Sequence, residues 1–228
     1  MTRRKSVLFV FTSTATNLLG DPTGWYLPEG AQPYYILSPT VDIAFASPEG
    51  PNPPVDPHSV DAFKSDEESQ KFLGDPTVKR FFEQAIKLED VDADEYDAIF
   101  CVGGHGPMID LVTNTASINL VNAFYRSKKP TAAVCHGPGA FVNATDSNNE
   151  PIFKGRCLTG FSNVEEEQAG KTDAVPFLLE DRITSDGGTY EKADAPWGEK
   201  VVVDGHLITG QNPASARAVG QAILEALK

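Results

Sequence analysis

The sequence is short of cysteine, of histidine, of positive charge and of long apolar runs. Its 228 residues contain three cysteines (Cys101, Cys135 and Cys157), an odd and low count. That argues against a disulfide framework and for a reducing compartment. The four histidines (His58, His105, His136 and His206) fall into no metal-ligand spacing. Lys and Arg total 19 against 32 Asp and Glu, a net charge of −13. A chain this acidic repels phosphate backbones and anionic lipid surfaces, so no nucleic acid and no membrane is expected among its partners. No apolar run approaches the ~20 residues of a membrane span. The basic start Met1–Lys5 precedes Val7–Phe11, five apolar residues where a secretory signal needs roughly 7–15. That run reads as a first strand, and a cytoplasmic protein is expected, with the nucleus as a second compartment. No repeat, low-complexity tract or long linker divides the chain, and a single domain over residues 1–228 is expected.

What remains is ordinary globular composition, 40% hydrophobic and 22% charged. Val7–Phe11, Asp42–Ala46, Ala98–Val102 and Thr131–Val134 are short and nearly continuous in apolar residues. Parallel strands covered on both faces have this pattern. Between them lie helical signals. Asp75-Pro76 can serve as cap and first residue of a helix with Val78, Phe81, Phe82, Ala85 and Ile86 on one face. Ile118, Val121 and Phe124 or Tyr125 recur at helical spacing in 114–126. Asn212-Pro213 opens a last amphipathic helix through Ala216, Val219, Ile223 and Leu227. The alternation predicts a doubly wound, mostly parallel α/β sheet sandwiched between helices. Ser47–Pro57 reads as a Pro-rich loop, and Asp204-Gly205 as the turn of a hairpin between 200–203 and 207–209.

The chemistry concentrates where strands give way to glycine. Thr131–Val134 runs into Cys135-His136-Gly137-Pro138-Gly139. A strand, a thiol and a tight turn into a helix make the layout of a nucleophile elbow, which lifts the side chain clear of the sheet's carboxyl edge. A helix starting at Gly137 would turn free N–H groups and its positive end toward the thiol. Cys135 should then titrate below the ~8.5 of a free thiol. The plainer alternative is a buried cysteine at the end of a strand. A second turn, Gly103-Gly104-His105-Gly106-Pro107, follows the strand ending near Cys101. Parallel neighbours deliver their loops to one edge, so the Gly104 backbone can hold an oxyanion and His105 can line the pocket. A tight strand-to-helix turn is the plainer reading there. Cys101 and Cys157 read as small core residues, His206 as a hairpin residue, and Trp197 as either packing or part of the pocket's cover.

The stretches AVCHGPGAF, VGGHGP, TGFSNVEEE at 159–167 and GQNPASA at 210–216 resemble the ThiJ/PfpI superfamily. With TGWYLPE at 23–29 and Pro196-Trp197, the chain more narrowly resembles the branch of glutathione-independent glyoxalases (glyoxalase III), related to fungal heat-shock chaperones. The resemblance runs from the first strand to the last helix and implies a flavodoxin-like fold. It implies conversion of methylglyoxal to D-lactate, and of glyoxal to glycolate, a lyase (D-lactate dehydratase) chemistry needing no cofactor and no metal. A small dicarbonyl is the implied substrate and a homodimer the implied assembly. Cys135 would be the nucleophile, His136 the acid/base, and Glu29 a buried carboxylic acid donating to the thiolate. On its own, Glu29 reads as a solvated loop carboxylate. The acid orienting His136 falls among Glu165, Glu166 and Glu167, with Glu166 the best match, because Glu165 stands where the family has a small residue. The other two glutamates are then expected to face solvent. The resemblance leaves a holding chaperone or a protein deglycase as rival roles.

Overall fold

The computed structural model describes residues 3–228. Its strands are β1 (Ser6–Val10), β2 (Asp42–Ser47), β3 (Ile86–Lys87), β4 (Ala98–Cys101), β5 (Thr131–Val134), β6 (Cys157–Leu158), β7 (Thr189–Tyr190), β8 (Val201–Asp204) and β9 (Leu207–Gly210). Seven of them form one sheet in the order β3-β2-β1-β4-β5-β9-β8. All neighbours are parallel except the β8–β9 hairpin. The order reverses at β1, which makes the sheet doubly wound, with the expected flavodoxin-like arrangement.

The helices are α1 (Leu27–Leu37), α2 (Pro57–Ala62), α3 (Glu67–Gly74), α4 (Pro76–Glu83), α5 (Thr115–Arg126), α6 (Asn163–Ala169), α7 (Leu179–Ser185) and α8 (Ala216–Ala226). They cover both faces, because the strands bury alternate residues to either side. Val7, Phe9 and Phe11 join Phe100 and Val134 under α1, α3 and α8, whereas Leu8, Val10, Ile99 and Ala133 join Phe124 of α5. Ring clusters fill the first side: Phe45 lies 4.8 Å from both Phe11 and Phe82.

Local chemistry sets the helix starts. Asp75 accepts from the Thr77 amide ahead of Pro76, as its sequence predicts, and Asn114 accepts from the Ser117 amide to start α5. Two expectations shift. The helix begun at Pro76 stops at Glu83, so Ile86 belongs to β3, pairing with Ala46 rather than extending a helical face. Asn212 opens a 3₁₀ turn (Pro213–Ser215) before α8, and its side chain is drawn away from capping by a buried carboxylate described below.

The parallel strands place the carboxyl ends of β1, β4, β5 and β9 along one edge. The segments leaving that edge carry Glu29 in the first turn of α1, the glycines after β4, Cys135 after β5, and Gln211-Asn212 after β9. The long excursion after β5 folds a small parallel sheet, β6–β7, and returns α6 to the same edge.

Candidate active site

Cys135 follows β5 in left-handed backbone, with φ of +60°. This conformation is costly for a residue with a side chain, and it is the geometry of the expected elbow. The turn is locked from both sides. The Cys135 amide donates to Gly210 O at 2.9 Å, and Phe161 N donates to Cys135 O at 2.9 Å. Its side chain is 3% exposed. After it comes a five-residue 3₁₀ turn (Gly137–Phe141), not the α-helix expected at Gly137. The axial dipole invoked to favour thiolate is correspondingly curtailed.

The glycines after β4 let backbone reach the sulfur. A Cβ on Gly103 would lie 2.2 Å from Glu29 Oε2 and 2.8 Å from Cys135 Cβ, so only glycine fits between thiol and acid. Gly104, at φ +98°, turns its amide toward the Cys135 sulfur. The structure thus brings the Gly104 backbone to the position where charge on sulfur would be stabilised.

Glu29 is fully buried at 0% exposure, so the solvated-loop alternative is excluded. Neither of its oxygens has a hydrogen bond of good geometry; its polar neighbours are the Cys135 sulfur and the Gly103 amide. Burial pushes the carboxyl up to about 8, against the downward pull of those two neighbours. At neutral pH Glu29 therefore keeps its proton and has an O–H to donate, with sulfur the acceptor at hand.

Glu166 accepts from two imidazoles at once. Its Oε2 lies 2.6 Å from His136 Nε2 and its Oε1 2.7 Å from His105 Nε2. Burial would raise its carboxyl, but His136 and then His105 outweigh that and hold it well below the usual carboxylate range. An ionised carboxylate only accepts, so the hydrogen-bond network assigns a proton to Nε2 of both rings. Burial, joined by the neighbouring His105, lowers the His136 pKa against the upward pull of Glu166, and the ring is neutral at neutral pH. Its bare Nδ1 faces Cys135 Sγ at 3.3 Å, placed to accept the thiol proton.

The same burial pushes the Cys135 thiol up, and charge on Glu29 would push it further, while the Gly104 amide works against both. The expectation of a thiol titrating below ~8.5 is corrected accordingly.

The run of three glutamates divides differently from expectation. Glu167 is exposed, but Glu165 is 0% exposed. Its Oε2 accepts from the Ser162 amide and hydroxyl, at 3.0 and 2.7 Å, and closes a capping box on α6. Its Oε1 accepts from Trp197 N at 2.8 Å, Gln211 Nε2 at 3.0 Å and Asn212 Nδ2 at 2.8 Å. Burial would raise this carboxyl too; the donors, Ser162 foremost, lower it instead. Glu165 is an internal anchor, and the expectation that it faces solvent fails for that reason.

A cavity of about 430 Å³ opens over the sulfur. Its wall is a row of rings: His105 to His136 at 4.2 Å between centroids, His136 to Phe161 at 4.4 Å, Phe161 to Trp197 at 5.5 Å. Trp197 lines the cavity and packs as well, and its Nε1 donates to Gln168 at 2.7 Å. Tyr26, Asp56 and His58 also line it, three residues that sequence reasoning missed as site residues. Tyr26 lies inside the quoted TGWYLPE stretch, which was the available signal. Cys101 is buried in the core, Cys157 is half-buried, and His206 packs on Tyr125 at 4.6 Å, all away from the cavity. His105, His136 and Glu166 offer ligand atoms within 4.8 Å of one another, a set that could hold a metal ion and that no sequence spacing revealed. Their hydrogen bonds to one another already satisfy both Nε2 donors.

Residues 58–226 match the model of the DJ-1/PfpI family. The sequence is similar to Glyoxalase 3 of Candida albicans, with 29% identity over 219 residues and 92% of each chain covered. It is also similar to the glutathione-independent glyoxalase HSP31 of Saccharomyces cerevisiae, with 28% identity and 98% of each chain covered. Among solved structures, Rapid Encystment Protein 24 KDa of Francisella tularensis superposes with a TM-score of 0.92 at 38% identity, covering 98% of this chain and 99% of that one. The crystal structure of glyoxalase III from Candida albicans superposes with a TM-score of 0.88 at 26% identity, covering 98% of each.

Proposed function

The chain belongs to the DJ-1/PfpI family, and from that premise we propose that it is a glutathione-independent glyoxalase converting methylglyoxal to D-lactate and glyoxal to glycolate. The observation that carries this reading is the charge arrangement at the sulfur. A protonated Glu29 stands on one side, and on the other stands a neutral His136 whose bare Nδ1 is 3.3 Å away. The relatives named above as glyoxalases support the substrate class.

The chemistry follows from where protons can sit. Cys135 Sγ adds to the aldehyde carbon C1, and the thiol proton passes through His136 Nδ1 to the former aldehyde oxygen, giving a hemithioacetal. His136 Nδ1 then takes the C1 proton, and the electron pair left behind forms the C1=C2 bond of an enediolate. The proton is returned to C2 while the C1 hydroxyl proton moves to the C2 oxygen, leaving a lactoyl thioester on Cys135. Water cleaves it. Glu29 and the Gly104 amide stabilise sulfur whenever it carries charge. Glu166 fixes the His136 tautomer throughout.

A holding chaperone is the rival role; it would use apolar surface, such as the exposed neighbours Leu18 and Leu19, and not a thiol. Lactate formation from methylglyoxal, without glutathione, decides between them when wild type is run beside Cys135→Ala. Wild type should yield one lactate per methylglyoxal consumed, and the variant should lose at least ~10³-fold in rate. Lactate from the Cys135→Ala protein at a comparable rate would remove the thiol from the reaction.

A further inference from the structure

We propose that His105 is the general base of the hydrolytic half-reaction, taking a proton from the water that attacks the acyl group on Cys135. The proposal rests on the glyoxalase reading for its natural acyl group, lactoyl, but its geometry concerns any acyl thioester at this cysteine.

Two imidazoles share one carboxylate. Because Glu166 accepts from Nε2 of both, each ring keeps Nδ1 as its basic nitrogen. The two Nδ1 atoms are placed for different work. That of His136 lies 3.3 Å from Cys135 Sγ on a ring with no exposure at all. Once the sulfur is acylated, a water reaching that nitrogen would need the space beside the thioester sulfur itself. The Nδ1 of His105 has no hydrogen-bond partner among the described residues. Its side chain lines the cavity and is 14% exposed, the more accessible of the two rings. Attacking water comes from that cavity. A general base must lie within hydrogen-bond reach of the proton it abstracts; both rings line the cavity, and only His105 has side-chain surface open to solvent there.

The step balances without any co-reactant. The water oxygen bonds to C1, and one water proton goes to His105 Nδ1. The C1–Sγ bond breaks with its electron pair left on sulfur, where Glu29 and the Gly104 amide hold it. The proton on His105 then restores the Cys135 thiol, and lactic acid departs to ionise in solution. Glu166 balances the imidazolium on His105 as it would one on His136, so a single carboxylate serves both halves of the cycle at different moments.

The test separates acylation from hydrolysis in His105→Gln, whose amide can still donate to Glu166 Oε1. With methylglyoxal, Cys135 should be acylated at a rate within a few-fold of wild type. Steady-state lactate should fall about 10²-fold and lactoyl-enzyme should accumulate, seen by intact mass and captured by hydroxylamine as the hydroxamate. Hydroxylamine, a nucleophile that needs no base, should restore turnover. A second arm uses p-nitrophenyl acetate, which acylates a reactive thiol directly: wild type should turn over, and the variant should release one nitrophenolate and stall. Lactate formation within two- to three-fold of wild type would overturn the proposal. So would equal losses in acylation and hydrolysis, the pattern of a ring that only braces Glu166. If wild type makes no lactate yet the ester arm shows burst and stall, the glyoxalase reading fails and the assignment of His105 stands. Should His105→Gln not fold, the same two measurements on His105→Asn decide the matter.

Discussion

Glu29 and Glu165 are equally buried, each at 0% exposure, and they are opposites in every other respect. Glu165 accepts five hydrogen bonds from three separate segments, while Glu29 has none of good geometry. The donors around Glu165 overcome the cost of burying its charge; around Glu29 nothing does, and burial pushes it up to about 8. Burial alone therefore says nothing about the charge of a carboxyl. The number of donors aimed at it decides, and the same side chain becomes an anchor at one position and a proton donor at the other.

A third carboxylate gives that contrast its sharpest test. Glu166 is charged like Glu165 but spends its charge on two catalytic-site rings. Glu166→Gln should leave the fold intact and lower kcat/KM by about 10³-fold or more, because the amide no longer fixes the His136 tautomer. Thermal melting beside steady-state kinetics checks both halves, and a variant within ten-fold of wild type would detach His136 from this partner. Next in size is Glu165→Ala, which strands five donors and should cost about 3–5 kcal/mol in urea unfolding. Glu167→Gln, an exposed neighbour, should move stability by no more than about 0.5 kcal/mol. If the two variants unfold alike, the anchor role of Glu165 is gone.

A pH-resolved comparison tests Glu29. Its carboxyl titrates at about 8 in the fold against 4.5 for the free group, so the folded protein binds that proton more tightly than the unfolded chain. The contribution to stability is fully present below pH 4.5 and is lost as pH rises through about 8. Wild type should lose stability relative to Glu29→Gln across that window, by at most about 1.4 kcal/mol per pH unit, and the gap should level off above it. Glu29→Gln should also retain more activity than Glu29→Ala, since the amide can still donate to sulfur. A gap that does not change with pH would mean that Glu29 is ionised in the fold.

Much of this architecture was legible in the sequence because it is written locally. Thr131–Val134 is a strand with the bounds its apolar run predicts, and the glycines after Cys135 mark the turn. Asp75 and Asn114 cap the helices that follow them. What was not legible is what depends on return visits of distant chain. Nothing in a run of three glutamates tells that Trp197, Gln211 and Asn212 come back to the first of them, 32 to 47 residues later. Likewise His105 reaches Glu166 across 61 residues, and no local pattern announces that two histidines will share one acid. At Gly137 the chain forms a 3₁₀ turn where a helix is expected, and Gly139 within it lies so close to Met108 that an added Cβ would meet Sδ at 2.7 Å. The charge state of Glu29 came from resemblance; its residues alone favoured solvent.

The left-handed backbone at Cys135 puts abundance and activity in competition at a single codon. A residue with a side chain pays for φ of +60° wherever it stands, and glycine does not. Cys135→Ala removes the thiol but keeps the strain. Cys135→Gly releases the strain, at the cost of a more flexible unfolded chain. Mutational drift scored only by how much protein accumulates would favour small, compliant residues at this position, and selection for turnover would oppose it. At this position the fold favours glycine, and a thiol-bearing residue stands there instead.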